Sequence, residues 1–248
     1  MRSPDNARLS VLAVVLAVLL STVSRISASH WAADDPLDAA LETARKTRNE
    51  TQLQSLKTQL EHKIAQSAED AGSYFALARV HEYLLDVYEL HKDKKPAAAA
   101  VEKAIAAVQH SIQLNEKSAD AHSLLADLYG RKISLGNAMF AGPKYGPRVK
   151  EENAKAMALD DKNPRVWASE GRQYLMTPKM FGGDIAKAVE RFQKSLAIDP
   201  FEDETWVWLA KAFQKQGSKA KALEAVQRSL QLNPESPFAK ATASELQR

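Results

Sequence analysis

Apolar side chains recur at three- and four-residue steps through most of the chain, the spacing that gathers them on one face of an α-helix. The clearest stretch is residues 206–234. Trp206, Leu209 and Phe213 form one stripe, Ala222, Val226 and Ser229 form a second, and Gly217 stands between them. Two stripes around a glycine predict two amphipathic helices joined by a tight turn, with Gly217 at the end of the first, where positive φ costs a glycine little. Ala210, Ala222 and Ser229 are small where two helices must approach closely. Pro234 ends the second helix because it has no backbone N–H to donate.

This layout resembles the tetratricopeptide repeat, a helix-turn-helix unit of about 34 residues with Trp-x2-Leu-Gly-x2-Tyr, Ala-x3-Phe and a closing Pro. Ala210 stands for the Gly and Val226 for the Phe. The frame recurs upstream. Trp167, Gly171, Tyr174, Ala188, Phe192 and Pro200 make one copy; His122, Leu125, Ala126 and Tyr129 open another; Tyr74, Leu77, Ala78 and His81, followed by Ala104, Val108 and Ser111, make the weakest. Pro200, Asp161 and Glu116 each close a Leu/Ile-Asn/Asp-x triplet six residues before Trp206, Trp167 and His122. The expected fold class is therefore all-α: a tetratricopeptide-like helical-hairpin solenoid, an α-α superhelix, with extended turns inside the hairpins.

Those turns are where the copies differ. Phe213 and Ala222 are nine residues apart, whereas the equivalent pairs Tyr174 and Ala188, Tyr129 and Val149, and His81 and Ala104 are fourteen, twenty and twenty-three apart. Insertions on one edge of a solenoid often mark its binding side; equally, they can cap their neighbours' cores. Residues 135–147 mix Gly136, Asn137, Gly142, Pro143, Gly146 and Pro147 with Met139, Phe140 and Tyr145, and read as a fixed loop. Residues 176–184 repeat the theme with Met176, Pro178, Met180, Phe181, Gly182 and Gly183. Their aromatics are expected to tuck under the loops as satellite core, the alternative being a groove at the solenoid edge. Gly182-Gly183-Asp184 lacks the glycine spacing and lysine of a phosphate loop, and Asp184 reads as a helix N-cap. The earliest insertion, residues 83–90, keeps its helical period and reads as a longer helix before a charged turn.

The predicted organisation is a signal peptide over residues 1–29, N-terminal capping helices over 30–70, four repeats over 71–235 and a C-terminal capping helix over 236–248. Arg2 and Arg8 precede an apolar run at residues 11–20, and small residues follow up to Ser29, the layout of a cleavable secretory signal. The run is shorter than the roughly twenty residues a spanning helix needs, so periplasmic or secreted localisation with no stable span is expected, an N-terminal membrane anchor being the alternative. Asp35-Pro36 suits a helix start, and Leu53, Leu56, Leu60 and Ile64 repeat at helical spacing. Ser236-Pro237 starts the last helix.

Net charge is +3, and Arg2, Arg8 and Arg25 against Asp5 contribute +2 of it, leaving +1 after the signal. That balance, with no basic stripe, gives no case for nucleic acid. Absence of cysteine excludes disulfides, thiolate metal sites and a lipid-anchoring cysteine. His81, Glu82 and His91 do not have His-Glu-x-x-His spacing, His81 stands where the repeat expects Tyr and reads as a packed histidine, and His110 and His122 are scattered. Glu151-Glu152 and Asp160-Asp161 read as solvated helix-end pairs. With no nucleophile motif either, neither a catalytic residue nor a metal or cofactor is expected.

In repeats of this kind, positions five, eight and nine after the Trp site face the concave groove. Here these are Arg79, Glu82 and Tyr83; Asp127, Gly130 and Arg131; Arg172, Leu175 and Met176; and Lys211, Gln214 and Lys215. Basic residues outnumber acidic ones, which mildly favours an acidic or carboxylate-bearing partner, but a solvated charged face is the preferred reading, and the Lys/Asn clamp of chaperone-binding repeats is missing. The candidate binding residues are Arg79, Tyr83, Arg131, Phe140, Tyr145, Arg172, Met176, Phe181, Lys211 and Lys215. The resemblance implies an exported, non-catalytic scaffold for a protein or peptide. The alternative is a periplasmic accessory subunit that binds a small apolar ligand: residues 124–197 are similar to the tetratricopeptide component associated with TRAP transporters. A channel lined by Met139, Phe140, Met180 and Phe181 would favour it.

Overall fold

A computed structural model describes residues 36–248. The signal expected over residues 1–29, and Asp35 of the helix start, lie outside the described residues. Two helices come first, α1 (Pro36–Thr47) and α2 (Glu50–Gln66). Four hairpins follow: α3 (Ala71–Leu90) with α4 (Lys94–Leu114), α5 (Ala119–Leu135) with α6 (Ala138–Leu159), α7 (Pro164–Met176) with α8 (Ile185–Ile198), and α9 (Asp203–Lys215) with α10 (Lys219–Leu232). The last helix is α11 (Pro237–Gln247), and among the described residues no strand occurs. None of the described helices is long and apolar enough to cross a membrane.

The six-residue step in the sequence has a physical cause. At the end of each second helix an Asn or Asp turns the chain by accepting a backbone N–H two residues on: Asn115 from Lys117 (3.1 Å), Asp160 from Lys162 (3.0 Å), Asp199 from Phe201 (2.9 Å) and Asn233 from Glu235 (3.2 Å). The next first helix then ties its opening ring back across that turn. Trp167 Nε1 donates to the Asp161 carbonyl (2.7 Å), Trp206 Nε1 to the Pro200 carbonyl (3.0 Å), and His122 Nε2 lies 3.0 Å from the Glu116 carbonyl. Tyr74 makes no such link; its ring packs on His110 at 4.1 Å. Asp70, Ser118 and Asn163 cap the first three hairpins through their side chains.

Between the helices of each hairpin lies the core. One cluster runs through α3, α4, α5 and α6 with Leu85, Val101, Val108 and Leu128 wholly buried; a second joins α7 to α11 around Phe192, Val207 and Val226; a third holds α1 and α2 against α3 through Ala44, Leu53 and Val80. Each buried Val, Leu or Phe side chain contributes about 1.5–3 kcal/mol. Small residues set the helix spacing, as Ser195 and Ser229 do at zero exposure. Gly217 ends α9 at φ 82°, as its place in the pattern requires.

Two of the three insertions are helix rather than loop. The first lengthens α3, as its period indicates, and leaves a turn of residues 91–93. The second corrects the loop expected over residues 135–147: α6 begins at Ala138, the turn is Gly136 and Asn137 alone, and Pro143 and Pro147 lie inside the helix. A proline in a helix interior costs roughly 3 kcal/mol by removing one backbone bond and crowding the preceding turn. Packing offsets this. Asn137 Oδ1 caps the helix by accepting from Met139 N (3.0 Å), Tyr145 stacks on Tyr129 (5.6 Å, 26°), and Val149 is buried while both prolines face solvent. Only the third insertion is irregular. A single 3-10 turn, Lys179–Phe181, leads through Gly182 (φ 97°) to Asp184, whose carboxylate accepts from Lys187 N (3.1 Å) and caps α8.

Glu152 is not solvated as its neighbour Glu151 is. It is buried with an oxygen 2.5 Å from His122 Nδ1, and since the other ring nitrogen faces the Glu116 carbonyl, the imidazolium satisfies both contacts. The hydrogen bond to Glu152 accordingly raises the His122 pKa. His81 behaves oppositely: burial, with Lys103 and Lys57 nearby, lowers its pKa from 6.5 to about 4. Below pH 6.5 the unfolded chain therefore takes up a proton that the folded chain refuses, so stability present above pH 6.5 is lost as pH falls towards 4. His81→Leu is expected to remove up to about 3 kcal/mol of that loss. Urea midpoints of both forms at about pH 7.5 and 4.5, either side of the window, measure it; an unchanged pH dependence would refute the assignment.

Candidate interaction surfaces

The first helices of the hairpins bring their groove positions to one concave wall, and there the charges are paired. Arg79 Nη1 holds Glu82 at 2.6 Å, and the same guanidinium donates to the Tyr83 hydroxyl. Arg131 reaches back from α5 to α3, 2.8 Å from Asp86 and 2.5 Å from Glu89, while Arg172 on α7 pairs with Asp127 on α5. Each arginine from one hairpin thus grips a carboxylate of its own or the preceding hairpin. Lys211 lies 3.4 Å from Glu245 of α11, and Lys215 donates to the Leu175 carbonyl at 3.0 Å. Leu175 itself is buried in the core. Arg79, Tyr83, Arg131 and Arg172 form one cluster, which Lys211 and Lys215 do not join.

The end of α1 completes this cluster, and the sequence frame does not contain it. Arg45, only 7% exposed at its side chain, lies 2.8 Å from Asp203 and 3.3 Å from Glu204. Arg48 reaches Asp86 at 2.9 Å and Glu204 at 2.6 Å, with its guanidinium 4.2 Å from the centre of the Tyr83 ring. The N-terminal helix therefore meets the start of the fourth hairpin, and Asn233 joins them by donating to the Lys46 carbonyl (3.2 Å) and Asp203 (2.9 Å).

The pKa directions follow from burial and from how many arginines each group meets. Burial raises Glu202 and Glu82 above the usual carboxylate range, against the opposing pull of Arg45 on the first and Arg79 on the second. Burial would raise Glu204 too, but Arg48, Arg45 and Arg79 together hold it well below that range. Tyr83 is pushed up to about 12 by burial. The groove charges are thus paired with one another rather than solvated singly. The wall's own arginines are already paired: Arg79, Arg131 and Arg172 come from α3, α5 and α7, and the carboxylates Glu82, Asp86, Glu89, Asp127, Glu202, Asp203 and Glu204 from α3, α5 and the start of α9.

A second surface lies where the hairpins turn. Met139, Phe140, Met180 and Phe181 are 79, 75, 82 and 63% exposed, and Met176 is 52% exposed. They do not tuck under the turns as satellite core, because the first turn of α6 and the 3-10 turn point them outward. Nor do these four enclose a channel: the open hollow of about 410 Å³ nearby is lined by Lys150, Asn153, Ala154, Met157, Glu170 and Gln173 among others. Of the turn aromatics Phe140, Tyr145 and Phe181, Tyr145 packs inward, on Tyr129. Helix length shapes this edge as well. The helices of the first two hairpins have 20, 21, 17 and 22 residues, those of the last two 13, 14, 13 and 14, so the former project further by roughly 5–12 Å.

Stacked helical hairpins with ring-to-carbonyl joints define a class, the helical-repeat arrays. Residues 203–236 match the tetratricopeptide repeat family model, and the stacked hairpins have the tetratricopeptide-type fold. Among solved structures it is similar to a thermophilic TPR protein in Thermus thermophilus, with a TM-score of 0.65 over 85% of this chain and 98% of that one at 14% identity. Pseudomonas aeruginosa pilF aligns at a TM-score of 0.45 (20% identity, 67% of this chain and 68% of that one), and MamA at 0.41 (15% identity, 77% and 94%). No curated protein matches the sequence.

Proposed function

We propose that the protein is an exported, non-catalytic scaffold that docks a protein partner on the turn edge of its hairpin array. The tetratricopeptide fold points to protein–protein interaction. The observation that carries the choice of surface is the outward display of Met139, Phe140, Met180 and Phe181. Large apolar groups left in water add nothing to the stability of a monomer and gain hydrophobic free energy when covered by a partner. Export rests on the arginine-flanked apolar run of residues 1–29.

Affinity capture from the native envelope, with N-terminal sequencing of the captured material, tests both parts. A partner retained by the wild-type chain is expected to be depleted at least tenfold from a Phe140→Ala/Phe181→Ala variant of unchanged melting temperature, since each lost aromatic anchor is worth about 1–3 kcal/mol. Identical partner sets would remove the turn edge from the reading. An intact Met1 would remove the signal peptide.

A further inference from the structure

The concave wall is covered by an element that the hairpin array does not supply, α1. Its apolar hold is thin: Ala44 is fully buried, whereas Leu37, Ala40 and Leu41 are only partly buried against their neighbours. Charge anchors its end. Arg45 and Arg48 are three residues apart, and both enter the carboxylate-rich part of the wall. Arg48 does so at φ 50°, a left-handed conformation that disfavours any residue with a Cβ and is ordinarily given to glycine or asparagine at a helix end. The backbone strain is tolerated where it delivers a guanidinium between Asp86, Glu204 and the Tyr83 ring.

With α1 lifted away, the wall would present the carboxylates of Asp86, Glu202, Asp203 and Glu204 without their guanidinium partners from α1, while Arg131 of the wall still reaches Asp86. Leaving those charges uncompensated is costly, so the surface selects another guanidinium source rather than water alone. The geometry points to a receptor for an arginine-bearing helix: α1 is its resident occupant, and a protein partner presenting two guanidiniums three residues apart at a helix end enters by displacing α1. This deepens the scaffold reading by naming the chemistry of a partner at a second surface, and it uses none of the turn-edge residues.

Hydrogen exchange on the full-length wild-type chain tests the displacement, with a synthetic peptide of residues 36–49 as the probe. Exchange in α1 is expected to accelerate at least tenfold and saturably as the peptide approaches the effective concentration of the tethered helix, on the order of millimolar. Exchange in α5 to α8 stays unchanged. The same peptide carrying Arg45→Ala and Arg48→Ala has no such effect. As a second arm, a full-length Arg45→Ala/Arg48→Ala chain binds the fluorescent wild-type peptide at least tenfold more tightly than the wild-type chain does. Unaltered α1 exchange, or an equal response to the arginine-free peptide, overturns the proposal. So does a concentration-dependent dimer exchanging α1 between copies, since the occupant is then a second copy of the chain. Because the peptide readout does not involve Phe140 or Phe181, loss of the turn-edge reading leaves it intact, and the two failures are distinguishable.

Discussion

Phe192→Ala is expected to cost the fold about 3–5 kcal/mol, measured by urea denaturation, with Gly171→Ala costing about 1–3 kcal/mol on its own. Phe192 is wholly buried, and a Cβ built on Gly171 would stand 2.7 Å from its ring. The ring occupies the space that the missing side chain leaves. In the first and fourth hairpins the same frame positions hold Ala78 with Val108 and Ala210 with Val226, all buried. A larger residue on the first helix thus goes with a smaller one on the second. The double variant Gly171→Ala/Phe192→Val is therefore expected to be less destabilised than the sum of its parts by about 0.5–3 kcal/mol. Strict additivity would refute this exchange of volume.

Gly183→Ala is expected to destabilise the third hairpin by about 3 kcal/mol or more. A Cβ at this position would lie 1.7 Å from the Thr177 carbonyl oxygen, and relief requires moving backbone rather than a flexible side chain. The same turn is closed by Gly183 N donating to the Pro178 carbonyl (3.1 Å) and Asp184 N to the Tyr174 carbonyl (3.1 Å), so the movement breaks bonds as well. Gly182→Ala, at φ 97° but with only the flexible Lys150 Nζ near its Cβ, at 3.8 Å, provides the comparison at about 1 kcal/mol. Because the turn also aims Met180 and Phe181 outward, Gly183→Ala is expected to speed tryptic cleavage after Lys179. Equal effects at the two glycines would show that the turn is not held by this contact.

The repeat frame was legible because its residues act locally. Trp206 and Pro200, or Asn233 and Glu235, meet across a few residues, so a fixed spacing carries the whole interaction. The helical course of residues 138–147 was not legible: two prolines and two glycines signal a turn, and the stacking of Tyr145 on Tyr129 that overrides them is tertiary. The groove was half legible. Positions five and nine after the Trp site pick out Arg79, Tyr83, Arg131 and Arg172, which share one wall, but no spacing rule links Arg45 and Arg48 to Glu204, more than 150 residues later. Counting charges by frame position also missed Asp86 and Glu89, which lie past the positions counted and hold Arg131.

The ring-to-carbonyl tie explains why length varies at one kind of turn and not the other. Between hairpins, an Asx turn and a bond from residue i to the carbonyl at i−6 fix the number of residues, so adding even one would unfasten the ring and rotate every later hairpin about the superhelix axis. Within a hairpin, extra residues are absorbed by extending both helices outward or by a local loop, and the neighbours keep their places. The chain thus alternates a locked hinge with an open one. Novelty in length can enter only at the open hinge, which is how an array of constant pitch acquires a sculpted edge.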